Sequence, residues 1–113
     1  MRSDRLYLAD ILDAITLIEH WLAPCDEDRF LGDELLQSAV LQKLATIGEA
    51  VARLSDETKQ GAPEVPWKEI VGFRNTAVHA YFSVDWRIVF ITAKDDLPTL
   101  LAAVQKLTKE APR

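Results

Sequence analysis

Apolar residues recur along most of the chain at spacings of three and four, which is the period of an amphipathic helix. The first such run follows Ser3 and Asp4, either of which suits the N-cap position. Pro24 should end this helix, because proline disrupts a helix interior. The apolar stripe consists of Leu8, Ile11, Ile15, Ile18 and Leu22. The pattern therefore predicts a first long helix that buries this face.

A second long helix is predicted to begin near Asp33, after an acidic segment at 26–33 that has room for a short helical turn around 29–31. Its apolar stripe consists of Leu36, Val40, Leu44, Ile47, Val51 and Leu54. Gly48 lies in the middle of this helix, where glycine costs about 1 kcal/mol relative to alanine. We therefore expect a neighbouring segment to pack closely against Gly48.

Residues 55–66 are the clearest connector, because the apolar period is lost there and Gly61, Pro63 and Pro66 interrupt the segment. A loop is predicted over these residues. Pro66 suits the first turn of a helix that begins at Trp67. This third helix should carry residues 74–81, with an apolar stripe of Ile70, Phe73, Ala77 and Ala80.

Residues 82–91 fit two patterns. Apolar and polar residues alternate there as in a half-buried strand, but a helical period runs on for longer. The helical stripe consists of Trp86, Phe90, Ala93, Leu97, Leu100, Val104 and Leu107. Asp85 is a suitable N-cap, so we predict a helix. Because the phase survives Pro98, the prediction is one kinked helix or two nearly collinear ones.

The predicted fold is an all-α, up-and-down bundle of four to five helices in a single domain over residues 1–113. With 49% hydrophobic residues, 113 residues can build one modest core. No apolar run approaches the roughly 18 residues of a membrane span, and no signal-peptide core follows Met1. We therefore expect a cytoplasmic protein without a membrane segment. Cys25 is the only cysteine, which excludes an internal disulfide and indicates a buried or unreactive thiol.

A net charge of −5 argues against a broad nucleic-acid surface, because affinity for phosphates comes from clustered Lys and Arg. Any RNA contact must then be local, and Lys68, Arg74 and Arg87 could form such a patch or be ordinary solvated charges. The acidity also suits a basic partner protein. With two histidines and one cysteine, no metal site is expected.

Residues 74–81 bring together the side chains with the most chemistry. Arg74 offers a fixed fork of donors for phosphate oxygens, and His79 can give or take a proton near neutral pH. From the pattern alone, His79 could also be a solvent-facing or hydrogen-bonded histidine, and Arg74 a surface or interface ion-pair residue. Glu49, on the second helix, either pairs with an arginine across the bundle or faces water. His20 suits favourable placement at a helix C-terminus rather than catalysis.

The helical projection of this segment suggests a site made of two copies. On a straight helix Arg74 and His79 are about 140° apart, so one chain does not gather them on one face. Asn75 and His79 are neighbours at four residues apart. A second apolar strip of Val71, Val78 and Phe82 lies beside them. We therefore predict a homodimer that forms through this helix.

A longer set of residues around this segment resembles a known family. The run from Trp67 to Asn75, followed by His79-Ala80-Tyr81, is similar to the signature of HepT-like HEPN-domain proteins, whose motif is R-x4-H-x-Y. The segments 47–50 and 96–100 occur in the expected order, so the resemblance covers nearly the whole chain. It implies an all-α homodimer with metal-independent ribonuclease activity, acting as a toxin beside a minimal nucleotidyltransferase antitoxin.

The resemblance also implies roles for four residues. The family's catalytic positions fall on Arg74, Asn75 and His79, and no cofactor is implied. Tyr81 takes the regulatory position, where the nucleotidyltransferase adds AMP from ATP and silences the toxin. The RNA substrate is unspecified, with tRNA as the family's candidate. The alternative is a non-catalytic helical module that docks a nucleotidyltransferase or binds nucleotide without turnover.

Overall fold

A computed structural model of the chain describes residues 3–75 and 83–111, and within these ranges the regular elements are all helical. The all-α prediction is confirmed. Three long helical elements are joined by shorter helices. The helices are α1 (Asp4–Leu22), α2 (Glu27–Leu31), α3 (Glu34–Arg53), α4 (Asp56–Gln60), α5 (Trp67–Val71), α6 (Trp86–Ile91) and α7 (Leu97–Glu110), with a π-helical segment at Thr92–Asp96 between the last two.

The core lies where α1 packs against α3 and α7. Every residue of the predicted α1 stripe is buried, and the helix ends at Leu22, two residues before Pro24. The α3 stripe is also buried except for Leu36, which is partly buried. Both amphipathic predictions are therefore confirmed. Among the described residues, no helix is long and apolar enough to cross a membrane.

The predicted start of α3 is confirmed by its cap. The Asp33 carboxylate accepts a hydrogen bond from the Leu36 N–H at 3.0 Å. The preceding turn is fixed by Gln37, which is buried, and whose Nε2 donates to the carbonyls of Phe30 and Leu31 at 3.0 Å each. This amide satisfies carbonyls at the end of α2, which the sequence analysis did not anticipate.

The connector at 55–66 is more ordered than the predicted loop. Its first part is the helix α4, which Ser55 caps by accepting a hydrogen bond from the Thr58 N–H at 3.2 Å. The loop prediction was therefore wrong over five residues. It failed because α4 buries none of its side chains and so leaves no apolar period in the sequence.

Asp4, the first residue of α1, ties α4 to that helix. Its carboxylate accepts hydrogen bonds from the N–H and hydroxyl of Ser55 and from the hydroxyl of Thr58. Burial raises the pKa of Asp4, but these hydrogen bonds and the charge of Lys59 outweigh it, so the pKa lies below its ordinary value. Ser3 occupies the N-cap position but makes no side-chain capping bond.

The third helix begins at Trp67 as predicted, but it is not continuous. It leaves regular α-helical geometry at Gly72 and resumes at 73–75, where the described range stops. Two i to i−3 hydrogen bonds mark the break, from the Gly72 N–H to the Glu69 carbonyl and from the Asn75 N–H to the Gly72 carbonyl, both at 3.1 Å. The straight-helix projection across residue 72 therefore does not apply.

The helix prediction for 86 onward is confirmed, and the strand alternative is wrong for the described residues. Asp85 caps α6 by accepting from the N–H groups of Arg87 and Ile88, at 3.0 and 3.4 Å. Trp86 and Phe90 are partly buried, and both rings contact Phe30 of α2. Val89 takes the fully buried position of this helix instead.

The run from α6 to α7 stays continuous through Pro98, as predicted. A π-helical turn precedes this proline, and the Leu97 N–H reaches back to the Thr92 carbonyl. The turn also aims Lys94 across the bundle, where its Nζ donates to the Leu22 carbonyl at the end of α1 at 2.7 Å. The widened turn therefore satisfies a helix C-terminus on another element.

Candidate functional site

The candidate site is built where α3 meets the residues that follow α5. The expectation of a close neighbour at Gly48 is confirmed. A Cβ atom at this position would lie 2.7 Å from the backbone nitrogen of Arg74 and 2.9 Å from the carbonyl oxygen of Ile70. Only glycine lets the two backbones approach this closely. The absent side chain of Gly48 therefore fixes the distance between α3 and the backbone of Arg74.

The next residue of α3 holds the Arg74 side chain. Nη1 of Arg74 lies 3.5 Å from Oε2 of Glu49. The other oxygen, Oε1, lies 3.0 Å from both Nε and Nη2 of Arg53, one helical turn further along α3. Of the two readings of Glu49, the cross-bundle ion pair is thus the one observed. One carboxylate bridges two guanidinium groups.

Arg53 is the residue at this site that the sequence analysis missed. Its spacing from Glu49 could have indicated this contact, because Glu and Arg four residues apart on one helix are neighbours. Neither arginine is deeply buried, with side chains 42% exposed for Arg74 and 59% for Arg53. Both can therefore meet a ligand from solvent.

An open groove of about 570 Å³ lies beside these charges. Its walls come from α1 and α3, with Arg74 at one side. The lining residues are Tyr7, Asp10, Gln42, Ala45, Thr46, Glu49, Ala50, Arg53 and Arg74. Acidic and basic side chains both contribute, so the groove presents donors for phosphate oxygens within a chain of net negative charge.

Two of the four predicted site residues fall in the described ranges. Arg74 is half-buried on the groove, and Asn75 is exposed immediately after it. His79 and Tyr81 lie outside the described residues, as do the apolar positions 77, 78, 80 and 82. The predicted convergence of two His79 side chains across a dimer stays a prediction.

The three cations suggested as a local patch have different surroundings. Arg87 is mostly exposed, with Nε 3.7 Å from Oε1 of Glu27. Lys68 lines a separate depression with Lys59 and Trp67. Of the three, only Arg74 lines the groove between α1 and α3. The cations that the described residues place at this groove are thus Arg74 and Arg53.

Other candidate chemistry is sparse in the described parts of the chain. Cys25 is buried, and its thiol donates to the Trp21 carbonyl at 3.5 Å, which confirms the prediction of a buried thiol. His20 is exposed in the last turn of α1. Within 3–75 and 83–111, no group of three or more His, Cys, Asp or Glu side chains is placed to hold a metal ion.

Comparison with known protein families identifies the family of this chain. The model of the family described as Ribonuclease HepT-like matches residues 11–107, a span that includes Gly48, Glu49, Arg53 and all of 74–81. The chain belongs to the HepT-like ribonuclease family. The resemblance drawn from the sequence is thus confirmed.

Relatives of this HepT-like chain extend over nearly its whole length. A protein of Thermococcus cleftensis named "Probable ribonuclease HepT" is 43% identical over 109 residues, covering 96% of this chain and 98% of the relative. "Putative RNase MJ1380" of Methanocaldococcus jannaschii is 31% identical, covering 92% and 95%. "Putative RNase TTE0752" of Caldanaerobacter subterraneus subsp. tengcongensis is 33% identical, covering 97% and 98%. No solved structure matches the chain significantly.

Proposed function

We propose that this HepT-like chain is a metal-independent ribonuclease and the toxin of a HEPN/MNT toxin–antitoxin pair, with Arg74, Asn75 and His79 as its catalytic residues. The observation that carries the proposal is the placement of Arg74. Its backbone lies against Gly48 and its guanidinium lies on Glu49, at the side of an open groove. The names of the relatives supply the reaction class.

The chemistry uses a nucleophile that RNA itself carries. The 2′-oxygen attacks the adjacent phosphorus while the bond from phosphorus to the 5′-oxygen breaks, which leaves a 2′,3′-cyclic phosphate and a free 5′-hydroxyl. One base removes the proton of the 2′-hydroxyl, and one acid protonates the departing 5′-oxygen. No metal is needed if the protein supplies both groups and a cation for the charged phosphorane.

Each chain supplies a single histidine in the motif, so we propose that two chains form the site. His79 of one chain acts as the base, and His79 of a second copy acts as the acid. Arg74 stabilises the charge that develops on the phosphate oxygens, and Asn75 orients His79 or the RNA. A homodimer through the segment at 74–81 follows from this division of roles.

The test is cleavage of total RNA by purified protein in the presence of a chelator, with mapping of the cut ends. His79→Ala should lower the cleavage rate by roughly 10²- to 10⁴-fold while the protein stays dimeric by size-exclusion chromatography with light scattering. His20→Ala is the matched control, since His20 is exposed at the end of α1. Undiminished cutting by His79→Ala, or loss of wild-type cutting in chelator, contradicts the proposal.

We also propose that a minimal nucleotidyltransferase antitoxin silences this toxin at Tyr81. The phenol oxygen of Tyr81 attacks the α-phosphate of ATP, pyrophosphate leaves, and AMP stays bound to the tyrosine. The added phosphate brings negative charge and bulk to the segment that carries Arg74, where it competes with RNA for the guanidinium donors.

Mass spectrometry of the protein incubated with its antitoxin and ATP tests this regulation. Added AMP should disappear in Tyr81→Phe and persist in Tyr7→Phe, because Tyr7 is the one other tyrosine of the chain and lines the groove beside Arg74. Modification that survives Tyr81→Phe would reassign the site. A chain that binds the antitoxin but never cuts RNA would instead be the docking module.

A further inference from the structure

We propose that Glu49 is the positioning residue of this site, which holds Arg74 in the orientation needed for cleavage at the expense of RNA affinity. This inference rests on the proposed ribonuclease function. It assigns to Glu49 two effects of opposite sign, a gain in the rate of the chemical step and a loss in binding. The two can be measured separately.

The first support is that contacts within the site orient Glu49 itself. It follows Gly48 on α3, where the backbones of the two segments are in direct contact. Its Oε1 accepts a hydrogen bond from Nε of Arg53 at 3.0 Å and lies 3.0 Å from Nη2 of the same side chain. Charge-assisted contacts of this length are the strong class of side-chain hydrogen bonds. This contact orients the carboxylate so that Oε2 faces Arg74.

The second support concerns the N–H donors of Arg74 that do not contact Glu49. A guanidinium has five N–H donors in a rigid plane, and the ion pair at 3.5 Å engages Nη1 on one edge. We assign its other donors to the phosphate of the RNA. A long arginine side chain loses much rotamer freedom when it binds a ligand alone. An arginine already paired with Glu49 has lost part of that freedom before RNA arrives, which is preorganisation toward the transition state.

The third support is the negative charge of the Glu49 carboxylate. The phosphate that Arg74 contacts must lie near the carboxylate of Glu49, because both side chains line the same groove. Like charges repel, so Glu49 weakens the binding of any RNA there. A residue that served affinity would not place a negative charge between two arginines. The arrangement fits a site in which orientation matters more than attraction.

The fold does not need this ion pair. The Glu49 and Arg74 side chains are 48% and 42% exposed, and half-exposed pairs contribute little to the free energy of unfolding. A second pair offers a matched comparison, since Glu27 and Arg87 lie 3.7 Å apart and the Glu27 side chain is 44% exposed. Glu27→Gln removes a similar charge at a similar exposure, away from the groove.

The experiment compares Glu49→Gln, Glu49→Asp and Glu27→Gln with wild type in two assays. Single-turnover cleavage of a defined RNA gives the rate of the chemical step. Binding of the same RNA with a 2′-deoxy sugar at the cut site gives the affinity without cleavage. Thermal unfolding of each variant shows whether the fold is intact.

Glu49→Gln should cleave roughly tenfold to a hundredfold more slowly, the size expected when a reacting group is misplaced. It should bind the 2′-deoxy RNA about two- to fivefold more tightly, the size expected for one exposed charge. Glu49→Asp keeps the charge but withdraws the carboxylate by one methylene, so it should slow cleavage without tightening binding. Glu27→Gln should match wild type in both assays.

An unchanged cleavage rate in Glu49→Gln overturns the proposal. So does slower cleavage accompanied by a lower unfolding temperature and weaker RNA binding, which is the signature of a merely structural role. If the wild-type protein does not cut RNA, the proposed function fails, and an NMR measurement still decides the positioning. The Nε–H signal of Arg74 should show restricted motion in wild type and increased motion in Glu49→Gln, and equal motion in both would refute the role of Glu49.

Discussion

Two junctions attach short segments to the long helices, and they are built in opposite ways. At Gly48, the backbone of α3 meets the backbone of residues 70–74, with no side chain between them. At Asp4, one carboxylate at the start of α1 gathers the N–H and hydroxyl of Ser55 and the hydroxyl of Thr58. The first junction is a steric fit, and the second is a set of polar contacts near the surface.

The two junctions differ in how much movement they allow between the segments that they join. A backbone-to-backbone contact has no rotamer that can relieve a clash, so it fixes its distance. Polar contacts to a single carboxylate can be broken one at a time and depend on its charge. The segment that carries Arg74 is attached by the rigid kind, as a site that orients a phosphate requires.

The largest effect should come from adding one methyl group at the rigid junction. Gly48→Ala would place Cβ 2.7 Å from the Arg74 nitrogen, so α3 and the motif segment must move apart. We expect a loss of about 3 kcal/mol in the free energy of unfolding, together with loss of RNA cleavage. Urea denaturation measures the first quantity.

Gly32→Ala is the control for this experiment, because the nearest atom to its added Cβ would be the Asp28 carbonyl at an ordinary 3.6 Å. It should change the free energy of unfolding by less than Gly48→Ala does. Equal effects of the two substitutions would remove the contrast between the junctions.

A smaller effect is expected at the polar junction. Asp4→Asn removes the charge that Ser55 and Thr58 solvate, and it should cost about 1 kcal/mol at neutral pH without changing RNA cleavage. Denaturation at pH 7 gives this value. An effect on cleavage as large as that of Gly48→Ala would mean that the two junctions are coupled.

The same junction should respond to pH in one direction. The pKa of Asp4 is lower in the folded chain than its ordinary value, so the folded state binds this proton less tightly than the unfolded state does. The stabilisation is therefore complete above the ordinary pKa of 3.8, which applies to the unfolded chain, and is lost as the pH falls through the lower folded value. Denaturation of wild type and Asp4→Asn as a function of pH should show their difference shrinking below pH ~4, and a constant difference would contradict this.

The smallest effect is expected at Gly72. Its φ of −61° and ψ of −19° are open to any residue, and an added Cβ would lie 3.1 Å from the Glu69 carbonyl oxygen. The lower chain entropy of the unfolded state offsets this tight contact. Gly72→Ala should thus change the free energy of unfolding by less than about 1 kcal/mol, as measured by urea denaturation. A loss as large as that of Gly48→Ala would show that the break in the third helix is itself a strained feature.

Sequence periodicity predicted the elements that bury one face and failed for those that do not. The long helices α1 and α3 were predicted from stripes such as Ile11 to Ile18, because burial imposes the helical period on the sequence. The helix α4 is held by Ser55 and Asp4 through polar contacts, which leave no such period. The break at Gly72 was missed because an apolar stripe drawn at fixed angles assumes a straight axis.

The sequence predicted those parts of the candidate site that depend on the properties of a single residue. Arg74 was found from its motif, and the close approach at Gly48 from the cost of a glycine inside a helix. The bridge from Arg74 through Glu49 to Arg53 was not predictable in full, because it joins α3 to a segment more than twenty residues further along the chain. Spacing within one helix predicts pairs such as Glu49 and Arg53, but contact across a bundle depends on how the helices pack.

The π-helical turn at Thr92–Asp96 determines which changes of length the last helical element should tolerate. A bond from the Leu97 N–H to the Thr92 carbonyl spans one residue more than an α-helical bond. The wide turn takes up one extra residue, so the faces before it keep the register of an α-helix that is one residue shorter. If the same residues formed ordinary α-turns throughout, everything before the turn would rotate by about 100°. Val89 would then leave the core, and the exposed Ile88 and Ile91 would change their direction. Deleting one residue of the turn should therefore restore an α-helix with the same buried face, whereas inserting one residue should disrupt that face.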